Sequence, residues 1–302
     1  MKILVTGGLG FIGSNLVDKL CEDLNNDVYV MDNLSRGDEI RANIKATTYS
    51  VDIRDEPDVN FFFPNGLDVI VHLAALARIQ PSFEEPVETC SVNIEGTQKV
   101  LEMARKLKCK VVYAGSSSAL GDPHINPYSS SKYMGEQMVE AYYKCFDVPG
   151  VITRFYNVYG NRNVQDEKMG NLLGILQKQY LEDKPLTLVE DCKSKKRDFT
   201  SVNDICAGLM LAASLDGEKM KAQIYNLGRG SNLSVYEVGM FFKKYSKKDI
   251  VIEYLPKRKG EQATSLADLK KSHSELGFYP EENMEDYIQN WIEMKEIDDV
   301  NL

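Results

Sequence analysis

The sequence predicts an α/β protein: a doubly wound parallel sheet with a smaller α/β lobe interleaved into the same chain. Three observations carry this. Short apolar runs alternate with amphipathic, helix-length stretches through residues 1–160. The first apolar run ends directly in a glycine-rich turn. The alternation breaks down after residue 160 and partly resumes near residue 198, with no long linker, repeat or low-complexity tract between the parts. Residues 1–160 and about 198–228 are therefore assigned to the sheet domain, and about 161–197 and 229–302 to the second lobe.

Residues 2–6 (KILVT) read as a buried strand. Gly7, Gly10 and Gly13 follow at a G-x-x-G-x-x-G spacing, and from residue 14 Leu16, Val17, Leu20 and Leu24 recur at helical intervals. A glycine turn between strand and helix lets the backbone approach a pyrophosphate, which the helix amides then hold. Residues 27–31 are the second strand, and Asp32 at its end suits a ribose 2′-hydroxyl and repels a 2′-phosphate. That favours NAD over NADP, with Arg36 close by acting against the preference. Residues 46–51 form the third strand; Asp52 beyond it either bonds an adenine amino group or caps the next turn. Residues 67–73 are the fourth strand, continued by Ala74 and Ala75, small residues where a cofactor can pass. His72 reads as a packed strand residue. Residues 85–107 read as one long helix, and residues 110–114 as the strand that delivers Ser116, Ser117 and Ser118 to the sheet's carboxyl edge. Further helices are expected at 129–146, 172–182, 202–215, 234–245, 266–276 and 284–293, and strands at 150–155, 185–190, 223–227 and 250–255.

Bulk properties narrow the function. A net charge of −9 argues against a general binder of nucleic acid or anionic membrane. Glycines arrive too early in MKILVTGG for a signal peptide, and no apolar run reaches the ~18 residues of a membrane span. The six cysteines lack metal-like spacing and read as free thiols in a reducing cytoplasm. The three histidines, His72, His124 and His273, are too scattered for a zinc site or a Ser-His-Asp triad.

Tyr128 and Lys132 stand four residues apart at the start of a predicted helix, and so share a face. A lysine ammonium beside a phenol lowers the phenol pKa from its reference of about 10. With the Ser116 hydroxyl nearby, such a pair takes a proton from an alcohol while a cofactor takes the hydride.

Eight segments stand in order between residues 6 and 204: TGGLGFIGS at 6–14, DNLSRG at 32–37, DIRD at 52–55, HLAA at 72–75, YAGSSSALG at 113–121, YSSSK at 128–132, RFYNVYG at 154–160 and RDFTSVND at 197–204. Together they resemble the extended short-chain dehydrogenase/reductase superfamily, and within it the nucleotide-sugar epimerases and dehydratases; DNLSRG most resembles UDP-hexose 4-epimerases. The resemblance implies a Rossmann-type domain with tightly held NAD. Its contacts would be Gly7, Gly10, Phe11, Ile12 and Gly13 in the glycine turn, then Asp32, Asn33, Ser35, Arg36 and Gly37. Asp52, Ile53, Leu73, Ala74, Ala75, Ala77, Tyr128, Lys132 and Tyr156 would complete them. Tyr128 would be the base on a sugar 4-hydroxyl, Ser116 would share that hydrogen bond, and Lys132 would hold the nicotinamide ribose. Ser117, Asn157, Arg197, Arg258 and Ser265 would meet the UDP-sugar, the two arginines clamping its diphosphate. A homodimer through the predicted helices at 85–107 and 129–146 is implied as well.

Within that resemblance, dehydratases carry an Asp-Glu pair after the catalytic hydroxyl, and decarboxylating relatives a glutamate. Here Ser117 and Ser118 stand there, which favours epimerisation. A nucleotide-sugar reductase or dehydrogenase, and a weakly active NAD-binding homologue, remain as alternatives. Ser265, three residues before Asp268, is small where a bulky residue restricts the pocket to plain hexoses. It therefore leans towards UDP-N-acetylglucosamine and UDP-N-acetylgalactosamine, with UDP-glucose and UDP-galactose as further substrates. Two features fall outside the resemblance. Ser116 and Tyr128 are only 12 residues apart, a shorter link than in such relatives, and Arg78 is expected to be exposed, with a uronate carboxylate as its alternative partner.

Overall fold

The computed structural model describes residues 1–56 and 58–300, with side chains described up to residue 297. In chain order the first half runs β1 (Lys2–Thr6), α1 (Phe11–Leu20), β2 (Asp27–Asp32), β3 (Thr47–Ser50), α2 (Val59–Phe62), β4 (Val69–His72), α3 (Ile79–Glu84), α4 (Pro86–Cys90), α5 (Gly96–Leu107), β5 (Lys110–Ser116), α6 (Pro127–Phe146) and β6 (Gly150–Phe155). The second half runs β7 (Asn157–Tyr159), α7 (Leu172–Leu181), β8 (Leu186–Val189), β9 (Lys196–Arg197), β10 (Phe199–Ser201), α8 (Val202–Ala213), β11 (Lys221–Leu227), β12 (Leu233–Ser234), α9 (Val235–Tyr245), β13 (Ile252–Leu255) and α10 (Met284–Val300).

Seven strands pair in the order β11-β6-β5-β4-β1-β2-β3, every pairing parallel. The order reverses at β1 and β4, so a crevice opens beyond their carboxyl ends, where such sheets bind ligands. Strand periodicity decides which side chain packs where. Ile3, Val5, Val28, Val30, Val69 and Val71 meet Leu16, Ile205 and Leu209 on one face. Leu4, Met31, Ile70, Val111 and Tyr113 meet Val100, Leu101 and Val139 on the other. Each fully buried side chain of this size contributes roughly 1.5–3 kcal/mol, so the two faces fix the sheet register. A third core joins Leu173, Leu176, Leu186, Leu188, Val238, Phe242 and Ile288, from α7, β8, α9 and α10. Ala267, Leu269, Leu276 and Phe278 return to the first core, tying the stretch before α10 to the sheet.

Several expectations are corrected. The single helix at 85–107 is α4 and α5 joined by a π turn, Ser91–Glu95. Asn93 lies inside that turn, with its side chain directed at neighbouring segments. The separate helix α3 was not expected. The helix predicted at 266–276 begins only at residue 270, because Asp198 Oδ2 takes the Ala267 N–H at 3.0 Å and the Lys196 carbonyl takes that of Ser265 at 3.1 Å. α1 starts at Phe11 and not at residue 14, since the third glycine of the turn is already helical. Among the described residues no helix is long and apolar enough to cross a membrane.

Candidate active site

The glycine turn is shaped by close approach. Gly7 has φ +68°, and a Cβ there would lie 2.8 Å from the Ala74 backbone. A Cβ on Gly13 would lie 2.1 Å from the Gly7 carbonyl oxygen. Gly10 caps α1 without any side-chain hydrogen bond, so the first-turn amides stay available to an anion. Phe11, Ile12 and Leu73 are partly buried against the first core; Ala75 is half-buried and Ala77 exposed.

Asp32 is buried at the end of β2. It accepts from the Leu9 N–H at 3.0 Å and the Leu34 N–H at 2.9 Å, which leaves carboxylate lone pairs for a ribose hydroxyl. Gly37 packs on it; a Cβ there would sit 2.7 Å from Asp32 Oδ1. Asn33, Ser35 and Arg36 are exposed, with Asn33 donating to Asp52 Oδ2 at 2.7 Å and Arg36 lying 3.9 Å from Glu85. Asp52 is gripped by the Arg54 side chain at 2.8 and 2.9 Å and accepts the Arg54 backbone N–H at 2.9 Å. Arg54, with Asn33, holds that carboxyl well below the usual range. Asp52 thus forms the turn cap that the sequence allowed. Ile53 is buried in the second core, against Gly96.

His72 links both strands of the crevice floor. Its Nδ1 lies 2.7 Å from Thr6 Oγ1, and its Nε2 lies 3.0 Å from Thr97 Oγ1. Thr6 Oγ1 accepts from the Ala74 N–H, and the Thr97 hydroxyl donates to the Asn93 carbonyl at 2.7 Å. The neutral Nε2–H tautomer satisfies every group in this chain. Burial lowers the His72 pKa to about 3, with Lys132 acting in the same direction.

Ser116 ends β5, and Tyr128 and Lys132 start α6, whose N-cap Asn126 accepts from the Ser129 N–H at 2.7 Å. The Tyr128 hydroxyl donates to Ser116 Oγ at 3.3 Å, and Ser116 Oγ lies 2.8 Å from Ser118 Oγ. The 12-residue link thus brings the pair together; it folds as two 3₁₀ turns, Ser117–Ala119 and Pro123–Ile125. Ser117 is half-buried. Lys132 is buried, its ammonium 4.5 Å over the Tyr113 ring. Burial pulls its pKa down to about 8, partly offset by Glu136. Glu136 is itself held by Arg154 at 2.6 and 2.9 Å. The expected depression of the Tyr128 pKa by Lys132 is not found. Burial raises the phenol above its usual value, and the groups pulling it down are Ser116, Arg78 and Ser118.

Arg78 is not the exposed residue expected from sequence. It is half-buried at the N-cap of α3, with Nε donating to the Met169 carbonyl at 2.6 Å and Nη1 to the Ala77 carbonyl at 3.0 Å. Tyr156 is buried at the end of β6, its pKa pushed up to about 12 by burial. Asn157 Nδ2 donates to Ser265 Oγ at 3.2 Å and to the Asp198 carbonyl at 3.1 Å. Arg197 donates to the carbonyls of Gln262 at 2.6 Å and Ala263 at 3.0 Å, while Arg258 is exposed. Sequence reasoning missed Asn93 and Ser131 as supports. Asn93 exchanges hydrogen bonds with Leu76 at 2.8 and 3.1 Å and donates to Ser131 Oγ, which donates to the Tyr128 carbonyl. An asparagine in a helix interior is a poor helix former, and that was the available signal.

Comparison with known proteins agrees with this geometry. The family model for the NAD dependent epimerase/dehydratase family matches residues 3–228. A putative UDP-glucose 4-epimerase of Methanocaldococcus jannaschii is 33% identical, the match covering 96% of this chain and 98% of that protein. The crystal structure of UDP-glucose 4-epimerase from Thermotoga maritima with UDP-glucose superposes with a TM-score of 0.88 at 28% identity, over 99% of both chains. The UDP-N-acetylglucosamine 4-epimerase of Methanobrevibacter ruminantium, in complex with UDP-N-acetylmuramic acid, gives 0.87 at 26% identity over 98% of both.

Proposed function

The chain belongs to the NAD-dependent epimerase/dehydratase family, and from that premise we propose that it is a nucleotide-sugar 4-epimerase. Its substrates are UDP-N-acetylglucosamine and UDP-N-acetylgalactosamine, with UDP-glucose and UDP-galactose also accepted. The observation that carries this reading is the Ser116–Tyr128 hydroxyl pair, 3.3 Å apart on the sheet edge that also holds the glycine turn, with serines and not acids at 117 and 118. The named relatives support it.

The residues present suit NAD: a turn whose Gly7 and Gly13 admit no Cβ, uncapped amides at α1, the buried Asp32 and a buried lysine with no salt bridge among the described residues. When bound, NAD supplies an electron-pair acceptor at C4 that is restored in each turnover. Tyr128 removes the proton of the sugar 4-hydroxyl and later returns it. Ser116, backed by Ser118, holds the same oxygen through both steps. Lys132 offers three donors to ribose hydroxyls and the positive charge that makes a phenolate affordable once cofactor and substrate are in place. Ser117 lies on the sugar side of this pair. Since acids are missing at 117 and 118, nothing there removes a C5 proton or expels a C6 hydroxyl, and the ketone is reduced again on either face.

Asn157 orients the nucleotide sugar next to Ser265, whose small side chain leaves room for an acetamido group. Arg197 and Arg258 clamp the diphosphate, as their guanidinium geometry suits. The cofactor is held by residues 1–160 and 198–228, and the sugar nucleotide by 161–197 and 229–302. The protein works as a cytoplasmic homodimer through the helices of residues 85–107 and 129–146, a reading supported by exposed Met134 and Phe146 on α6 and by the free cysteines. Incubation with NAD and a panel of nucleotide sugars, with products separated by chromatography, tests the proposal. Interconversion of C4 epimers without a net change at 340 nm is expected. A steady change at 340 nm, or no turnover of any sugar, overturns it.

A further inference from the structure

The segment carrying Arg78 is stapled at both ends to the turn that carries Tyr128. On one side, Leu76 exchanges hydrogen bonds with Asn93 at 2.8 and 3.1 Å, and Asn93 reaches Ser131 at 2.9 Å. On the other, Ser82 Oγ accepts the Tyr128 backbone N–H at 3.2 Å and donates to the Ile79 carbonyl at 2.7 Å. Arg78 lies between these staples. Its Nε and Nη1 are fixed by two carbonyls, at 2.6 and 3.0 Å, and its Nη2 makes no hydrogen bond among the described residues. The acids nearby along the chain are spent elsewhere: Glu84 pairs with Lys168 at 2.5 Å and Glu85 with Arg36 at 3.9 Å. No carboxylate acts on Arg78 among the described residues; the one titratable group that does is the Tyr128 phenol.

A half-buried guanidinium with no carboxylate partner among the described residues and one free edge suits a bidentate carboxylate. The anion must come from a ligand. On the proposed function, the diphosphates are already assigned to the α1 amides and to Arg197 with Arg258. What lies beside Tyr128 is the sugar itself, held at O4, and C6 is attached to the carbon next to C4.

We propose that Arg78 is a specificity-determining residue that pairs with a carboxylate at C6 of the sugar, so that the preferred substrates are UDP-hexuronates, the 2-acetamido-hexuronates allowed by Ser265 among them. This rests on the 4-epimerase reading and places the neutral sugars named there second to their counterparts oxidised to the acid at C6. It concerns C6, whereas Ser265 concerns C2, so one substrate satisfies both.

The test compares kcat/KM for UDP-glucuronate and UDP-glucose in the wild type, Arg78→Met and Arg78→Lys, because a ratio cancels any effect of Arg78 on Tyr128 common to both sugars. The wild type is expected to favour the hexuronate. Arg78→Met is expected to lower the hexuronate-to-hexose ratio about 10–100-fold, the range for a charged hydrogen-bonded pair, and Arg78→Lys to retain most of it. Bound NAD and the melting temperature are read in parallel. A ratio unchanged in Arg78→Met overturns the proposal, as does loss of bound NAD with the ratio preserved, which would assign the guanidinium to the cofactor's pyrophosphate. A wild type that epimerises hexoses but not hexuronates overturns it too, without reliance on either variant. Absence of C4 epimerisation on every sugar sinks the enzyme reading instead, so the two failures are distinguishable.

Discussion

Acidification should weaken this protein through His72 before most of its carboxylates protonate. The ring is buried between Thr6 at the end of β1 and Thr97 on α5, with its pKa lowered from 6.5 to about 3 by burial. A depressed histidine favours the neutral folded state, so its contribution is complete above 6.5 and is lost progressively as pH falls towards the folded value. At pH 5 the unfolded chain binds the proton and the folded chain does not, which costs about 2 kcal/mol relative to pH 7. The comparison is urea unfolding of wild type and His72→Asn at both pH values. Asparagine keeps a polar group between the threonines but has no proton to gain, while all other titrating groups are shared. Wild type is expected to lose about 2 kcal/mol more than the variant between pH 7 and 5. Equal losses, within about 0.5 kcal/mol, would refute the reasoning.

Three further perturbations follow from the site. Lys132→Met removes a buried cation whose pKa is depressed to about 8, so cofactor-stripped protein should gain about 1–3 kcal/mol at pH 7 in urea unfolding while turnover is lost. Gly13→Ala places a methyl 2.1 Å from the Gly7 carbonyl oxygen, and the purified variant should carry little or no NAD by absorbance and mass spectrometry. Glu136→Gln leaves Arg154 without its buried anion and should cost about 3–5 kcal/mol by denaturant titration, with a further fall in the Lys132 pKa.

The parallel sheet was legible because its central strands, β1, β4, β5 and β6, are short apolar runs buried on both faces and followed by turn chemistry; the strand bounds moved by only a residue or two. Gly7 and Gly13 were legible for a related reason, since contact with backbone atoms admits no other residue. Tertiary partners overrode local pattern elsewhere. Residues 266–269 have helical spacing but stay out of the helix, with the Ser265 and Ala267 N–H groups taken by Lys196 and Asp198. The π turn at Ser91–Glu95 has no periodic signature, and only an interior asparagine marks it. Arg78 reads as a surface arginine until the Met169 carbonyl, 91 residues away, closes on it. The helix spacing put Tyr128 and Lys132 on one face, but not how the ammonium would turn: it lies over Tyr113, a strand residue whose approach depends on Gly135 having no side chain.

The central claim is that C4 is oxidised and reduced again within one site, with Tyr128 moving the proton. A UDP-sugar bearing deuterium at C4 tests it most directly, with the label followed by mass spectrometry as the epimers equilibrate. Both epimers should retain the deuterium, with none in water and no absorbance accumulating at 340 nm. Tyr128→Phe should slow the exchange about 10²–10⁴-fold. Loss of the label to water, or epimerisation at wild-type rate in Tyr128→Phe, would contradict the account.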